Sequence, residues 1–123
     1  MTTPDVLYHG TTPWCVERIL RRGIHPGRGH GGLVYLSEDP NIAAWWGVRG
    51  GPGPAAVFEV DVHSRPFEPH WSGVNSWCHH GTVPARLLRL LDPSDHSPQR
   101  GGELVKRYWE DDELEGDEPN FDC

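Results

Sequence analysis

Four blocks of this sequence carry residues that could do chemistry. His9-Gly10-Thr11 closes an apolar run, where a strand gives way to a proline-started segment. "LVYLS" (33–37) places Tyr35 and Ser37 after a Gly-rich loop. "AAWWG" (43–47) carries Trp46, and "WCHHGTVP" (77–84) carries His79 and His80. A histidine at a strand end titrates near neutrality, so it can hold a hydroxyl or move a proton. It can equally be a hydrogen-bonded structural residue. Gly10 can merely ease a turn. Tyr35 and Trp46 are stacking surfaces or core aromatics.

The elements that position these blocks follow from periodicity. Val6 to Tyr8 predicts a short strand. Thr12 is a candidate N-cap with Pro13 at the first helical position. Trp14, Val16, Ile19 and Leu20 then recur at helical spacing up to a stop at Gly23, with Glu17, Arg18, Arg21 and Arg22 on the wet side. Ser37 or Asp39 caps a helix from Pro40 through "PNIAAWWG". "AAVFEVDV" (55–62) alternates as a strand, residues 63–74 read as a long loop, and "NSWCHH" reads as a late strand closed by Gly81. "VPARLLRLLD" fits a turn and edge strand, or a helix, equally well. Strands and helices alternate early and strands dominate later, so the fold expected is α+β: a small split mixed sheet with short helices.

At 123 residues the chain suffices for one domain, and 36% hydrophobic content with a mean hydropathy of −0.60 implies a modest core. The net charge of −7 is lopsided. Residues 1–93 carry 8 acidic and 8 basic side chains, whereas residues 94–123 carry 10 acidic and 3 basic. We therefore read 1–93 as one charge-balanced domain and 94–123 as an acidic C-terminal tail, helical in part over "GGELVKRYWEDDE" or disordered. Negative charge disfavours nonspecific nucleic-acid binding, although Arg18, Arg21, Arg22 and Arg28 lie close enough to form a local basic face. No apolar run or basic leader points to a membrane, so a cytoplasmic location is expected, and the Gly- and Arg-rich composition suggests a bacterial or phage source. No histidine spacing matches a zinc template, and adjacent His79 and His80 point to opposite faces of a strand, so no metal is expected.

Taken together the blocks resemble the ADP-ribosyltransferase superfamily over about residues 6–91. There a strand ending in His-Gly-Ser/Thr leads into a helix. A Tyr-bearing strand and a second aromatic eleven positions on follow, as Tyr35 and Trp46 do, then a "VFEVDV"-type strand and a late strand with Gly-x-Val-Pro. The resemblance implies that residues 1–93 are an ADP-ribosyltransferase-like NAD-binding domain, with NAD as co-substrate. It implies binding by His9, Gly10, Thr11, Tyr35, Ser37 and Trp46, with His9 on ribose hydroxyls, the Gly10 backbone on the carboxamide, and Tyr35 and Trp46 sandwiching the nicotinamide. The family's late-strand Glu is missing from "NSWCHHG". Trp77, Cys78, His79 or His80 stands near where that Glu would be, and His79 is taken as the third catalytic residue beside His9 and Tyr35. The expected activity is NAD-dependent transfer of ADP-ribose to a macromolecular acceptor, protein or nucleic acid, with release of nicotinamide.

Two alternatives stand beside it. The RNA 2′-phosphotransferase branch, which uses NAD to remove a 2′-phosphate from RNA, has a similar late block, and Asn75 to Pro84 spans the same nine residues. It also uses a basic N-terminal module and an Arg-His-x-Arg set that this sequence does not show, which ranks it second. A silent module that binds NAD or ADP-ribose is the third.

Overall fold

The computed structural model describes residues 5–26, 33–49, 54–63, 68–69 and 76–108. In chain order they form β1 (Val6–Thr11), a 3-10 turn (Pro13–Cys15), α1 (Val16–Arg22), β2 (Leu33–Ser37) and α2 (Pro40–Arg49). β3 (Ala56–Asp61), β4 (Glu68–Pro69), β5 (Ser76–His80), a 3-10 turn (Ala85–Leu87) and β6 (Leu88–Leu90) follow. A 3-10 turn (Pro93–Asp95) leads to α3 (Pro98–Tyr108). The six strands make one sheet in the order β4-β5-β2-β1-β3-β6. The α+β class holds, but each pairing is antiparallel, so the sheet is not mixed in direction. The mixed reading came from the early strand–helix alternation. That alternation gives parallel neighbours only when the crossover returns the chain to the starting end of the sheet. Here α1 has only seven residues, and the chain beyond it is caught by a bridge between Ile24 and Val83.

β1 and β3 pair along their full lengths, from Val6↔Asp61 to Thr11↔Ala56. β1 and β2 pair only at Tyr8↔Ser37. Beyond that point the two strands part, and the sheet is split between the end of β1 and the start of β2. One face carries Leu7, Val34, Leu36, Phe58, Val60 and Trp77, and packs with Cys15, Ile19, Ile24 and Val83 into the main core. The other face carries Tyr8 and Val57, and packs on Ala43 and Ala44 of α2 with Ala55 and Leu91.

Local chemistry explains the elements. α1 buries Ile19 and ends at Gly23, whose φ of 82° suits a residue without a Cβ. α2 is capped by Asp39, whose Oδ1 accepts from the Asn41 and Ile42 amides at 2.7 and 3.4 Å. Ser37 Oγ accepts from the Asp39 amide at 3.1 Å, so both expected capping residues take part. The "ARLLRL" stretch resolves as a turn and the edge strand β6, with Arg89 Nη2 donating to Glu59 Oε2 across it at 2.9 Å. Within the expected 63–74 loop, the described residues Glu68–Pro69 form a short strand, β4, paired with β5 at Glu68↔Cys78. α3 lies on α2 and buries Val105, so the described part of the 94–123 segment is docked on the domain. Residues 109–123 lie outside the described residues. Among the described residues, no helix is long and apolar enough to cross a membrane.

Candidate functional site

The split between β1 and β2 brings two of the candidate residues, His9 and Tyr35, into contact. Where a regular ladder would join the strands, a side chain does so instead: His9 Nδ1 lies 3.0 Å from the Tyr35 carbonyl oxygen. A carbonyl only accepts, so Nδ1 carries the proton and donates. Neutral His9 then presents Nε2 as an acceptor. Burial pushes the imidazole below its ordinary pKa, and the Tyr35 carbonyl opposes this to a lesser degree. Near neutral pH His9 is therefore an uncharged hydrogen-bonding group that can accept from a hydroxyl, and a poor proton donor.

Gly10 sits beneath α2. A Cβ at this position would come 1.7 Å from the Ala43 carbonyl oxygen and 3.2 Å from the Gly47 nitrogen. A Cβ on Gly47 would in turn meet the Thr11 oxygen and nitrogen at 2.7 and 2.8 Å. The absent side chain thus admits a helix on this face of β1. The sequence reading gave the gap to a ligand instead. Thr11 follows at the strand end, half-buried and paired with Ala56. The buried Thr12 hydroxyl lies 3.3 Å from Cys15 Sγ.

Trp46 precedes Gly47 on α2 and is met edge-on by Trp45, with ring centroids 4.7 Å apart at 71°. Tyr35 is half-buried on β2, opposite Cys78. Its neighbours Val34 and Leu36 belong to the main core, so alternation places Tyr35 and Ser37 on the α2 face of the sheet. His79 is buried opposite Val34, on the main-core face, and its Nδ1 lies 3.2 Å from the Gly81 carbonyl oxygen. His9 occupies the same face as His79, opposite Phe58. The structure thus links His9 to the Tyr35 backbone and sets Gly10 and Thr11 against Ala43 and Gly47 of α2, while the His9 side chain and the Tyr35 and Ser37 side chains lie on opposite faces of the sheet. His79 lies one strand further out. Asn75 and Arg28 are outside the described residues.

Two features were not visible in the sequence reading. Trp77 is buried with its indole Nε1 donating to Glu38 Oε2 at 2.6 Å, which ties β5 to the turn before α2. Tyr8, Glu59 and Arg89 form a polar row across β1, β3 and β6 through the pairs Tyr8↔Glu59 and Glu59↔Arg89. Burial and the nearby Glu59 carboxylate hold the Tyr8 phenol above its usual pKa. The alternation of Glu59 in "VFEVD" and Arg89 in "LRL" was a signal for this row. Strand pairing, however, is not readable from one sequence. Among the described residues, no group of three or more His, Cys, Asp or Glu side chains is placed to hold a metal ion.

No protein-family model matches the chain. Two curated proteins do. A probable RNA 2′-phosphotransferase of Hahella chejuensis is 34% identical over 97 residues, covering 76% of this chain and 50% of the relative. A probable RNA 2′-phosphotransferase of Burkholderia lata is 34% identical over 91 residues, covering 72% of this chain and 45% of the relative. The chain thus spans about half the length of the curated relatives it matches.

These matches overturn the primary expectation. The relatives bear the name of the second-ranked activity, and ADP-ribosyl transfer to a macromolecular acceptor has no support among them. The ranking rested on a basic module and an Arg-His-x-Arg set not seen in this sequence. Because the match covers only about half of each relative, parts outside it carry no weight against the RNA-directed reading.

Proposed function

We propose that this chain is the NAD-binding part of an enzyme that removes a 2′-phosphate from RNA, a transferase of the RNA 2′-phosphotransferase type. The observation that carries the reading is the 34% identity to two proteins of that name across some three-quarters of the chain. The site geometry supports it. His9 is held neutral at the split between β1 and β2, with Nε2 available to a ribose hydroxyl. Tyr35 on β2 and Trp46 on α2 are assigned in this reading to supply aromatic faces for a nicotinamide, with stacking worth about 1 kcal/mol per face.

In this reading NAD is the co-substrate, and the residues bind and orient it. His9 Nδ1 is committed to the Tyr35 carbonyl, so the ring cannot rotate without losing a hydrogen bond, and Nε2 stays aimed. Thr11 offers a hydroxyl at the strand end. Ser37 already accepts from the Asp39 amide, which leaves its hydroxyl proton to donate. The test is NAD consumption, followed chromatographically, in the presence of RNA bearing an internal 2′-phosphate or the same RNA without it. Consumption that needs the phosphate is expected. NAD left intact with both RNAs would refute the proposal.

A further inference from the structure

The outer face of α1 has no role in the site described above. Cys15 and Ile19 turn inward at 2% and 1% exposure. On the opposite side Trp14 is 60% exposed, which is unusual for an indole. Trp14 stands in the 3-10 turn that runs directly into α1, and Arg18 and Arg21 are exposed on the first and second turns of α1 that follow it. Arg22 is exposed beside them, and the turn that packs on α1 adds exposed Arg86. Among the described residues, the Glu17 carboxylate lies 4.0 Å from Arg21 with both side chains mostly in water. Such a pair is loose and leaves the guanidinium available.

We infer that this face is a docking surface for single-stranded RNA, with Trp14 stacking on a base and Arg18, Arg21 and Arg22 contacting backbone phosphates. The choice of RNA among polyanions rests on the function proposed above. The form of the surface is argued independently. Residues 1–93 are neutral in sum, so three Arg against one Glu on α1 is a local excess of positive charge. An isolated indole among guanidinium groups suits an unstacked base, because every base offers a π-face and stacking is tolerant of sequence. A duplex keeps its bases paired and offers Trp14 no such partner. The position fits as well. Trp14 follows Thr11 by three residues, so the platform begins within about 11 Å of the end of β1. A strand lying along α1 would thus lead toward the split that holds His9.

The test uses the full chain and a short labelled single-stranded RNA without any 2′-phosphate, with binding read by fluorescence anisotropy. Trp14→Ala is expected to weaken binding about tenfold. The double variant Arg18→Gln/Arg21→Gln is expected to flatten the slope of log K against log salt by about 1.4, for two phosphates no longer neutralised. Both changes are at exposed positions, and an unchanged melting temperature will confirm that the fold is intact. Wild-type binding by both variants, or equal affinity for a duplex, would overturn the inference. Single-strand binding that depends on Trp14, in a protein that leaves 2′-phosphates in place, would defeat the proposed function and uphold this surface. Phosphate removal with binding unaffected in both variants would do the reverse.

Discussion

Gly10→Ala is the sharpest structural perturbation this fold offers. The added methyl would sit 1.7 Å from the Ala43 oxygen and 2.5 Å from its carbonyl carbon, both backbone atoms of α2. An ordinary van der Waals separation is about 3.5 Å, so strand and helix would have to part by roughly 1.5–2 Å. That shift opens the small cluster of Ala43, Ala44, Ala55, Val57 and Leu91 and separates Gly47 from Thr11. Overpacking a core costs about 1–3 kcal/mol, and a clash with backbone belongs at the upper end. For a domain of this size about 3 kcal/mol lowers the melting temperature by roughly 10–20 °C. Thermal unfolding followed by circular dichroism gives the measurement. Gly81→Ala is the control: its φ is 84° but a Cβ there meets nothing, so only backbone strain of about 1 kcal/mol is expected. A Gly10→Ala protein that melts within 2–3 °C of wild type, or above Gly81→Ala, would refute the packing argument. If that stable variant also lost NAD binding, Gly10 would revert to the ligand-facing role read from the sequence.

Further outcomes follow from other contacts. Glu38→Ala strands the buried Trp77 N–H and should cost about 1–2 kcal/mol, read as a lower denaturant midpoint with an unchanged slope. Gly101→Ala would put a Cβ 1.9 Å from the Asn41 oxygen, so α3 should lift from α2, and amide exchange should quicken in both helices. His9 and His96 are both held below the usual histidine pKa, chiefly by burial, and both ring nitrogens of His96 are buried without a hydrogen-bond partner. The unfolded chain therefore takes up protons first, so stability should fall as pH drops through about 6.5 and level off only below the folded values. His96→Leu should flatten that acid limb in pH-dependent urea melts. His63 works in the opposite sense, raised by its bond to Asp61 and by Asp5, but it is fully exposed and screened.

Much of the scaffold was legible because single elements obey local rules. The Pro13 start and Gly23 stop of the first helical segment, the alternation of β3, and the cap before Pro40 all stand where local chemistry puts them, although the Thr12 hydroxyl pairs with Cys15 Sγ and caps no helix amide. The first turn of that helix came out as 3-10. Neighbour relations were not legible. Nothing local says that β5 lies beside β2, or that β1 and β2 meet at a single pair and then part. The roles of Gly10, Gly47 and Gly101 depend on those relations, since each admits an element distant in sequence. His9 was legible as a candidate by type and position. Its bond to the Tyr35 carbonyl, which fixes its tautomer, exists only because the strands diverge. The order of the functional alternatives failed for another reason. It weighed absent segments as evidence, in a chain that matches only about half of each relative.

The function proposed for this chain is a part in NAD-dependent removal of a 2′-phosphate from RNA. The most direct measurement is the mobility of an RNA carrying one internal 2′-phosphate after incubation with the full chain, with and without NAD. Loss of the phosphate only when NAD is present, and its retention by His9→Ala, is the predicted result. A phosphate that remains on the RNA under both conditions would contradict the account.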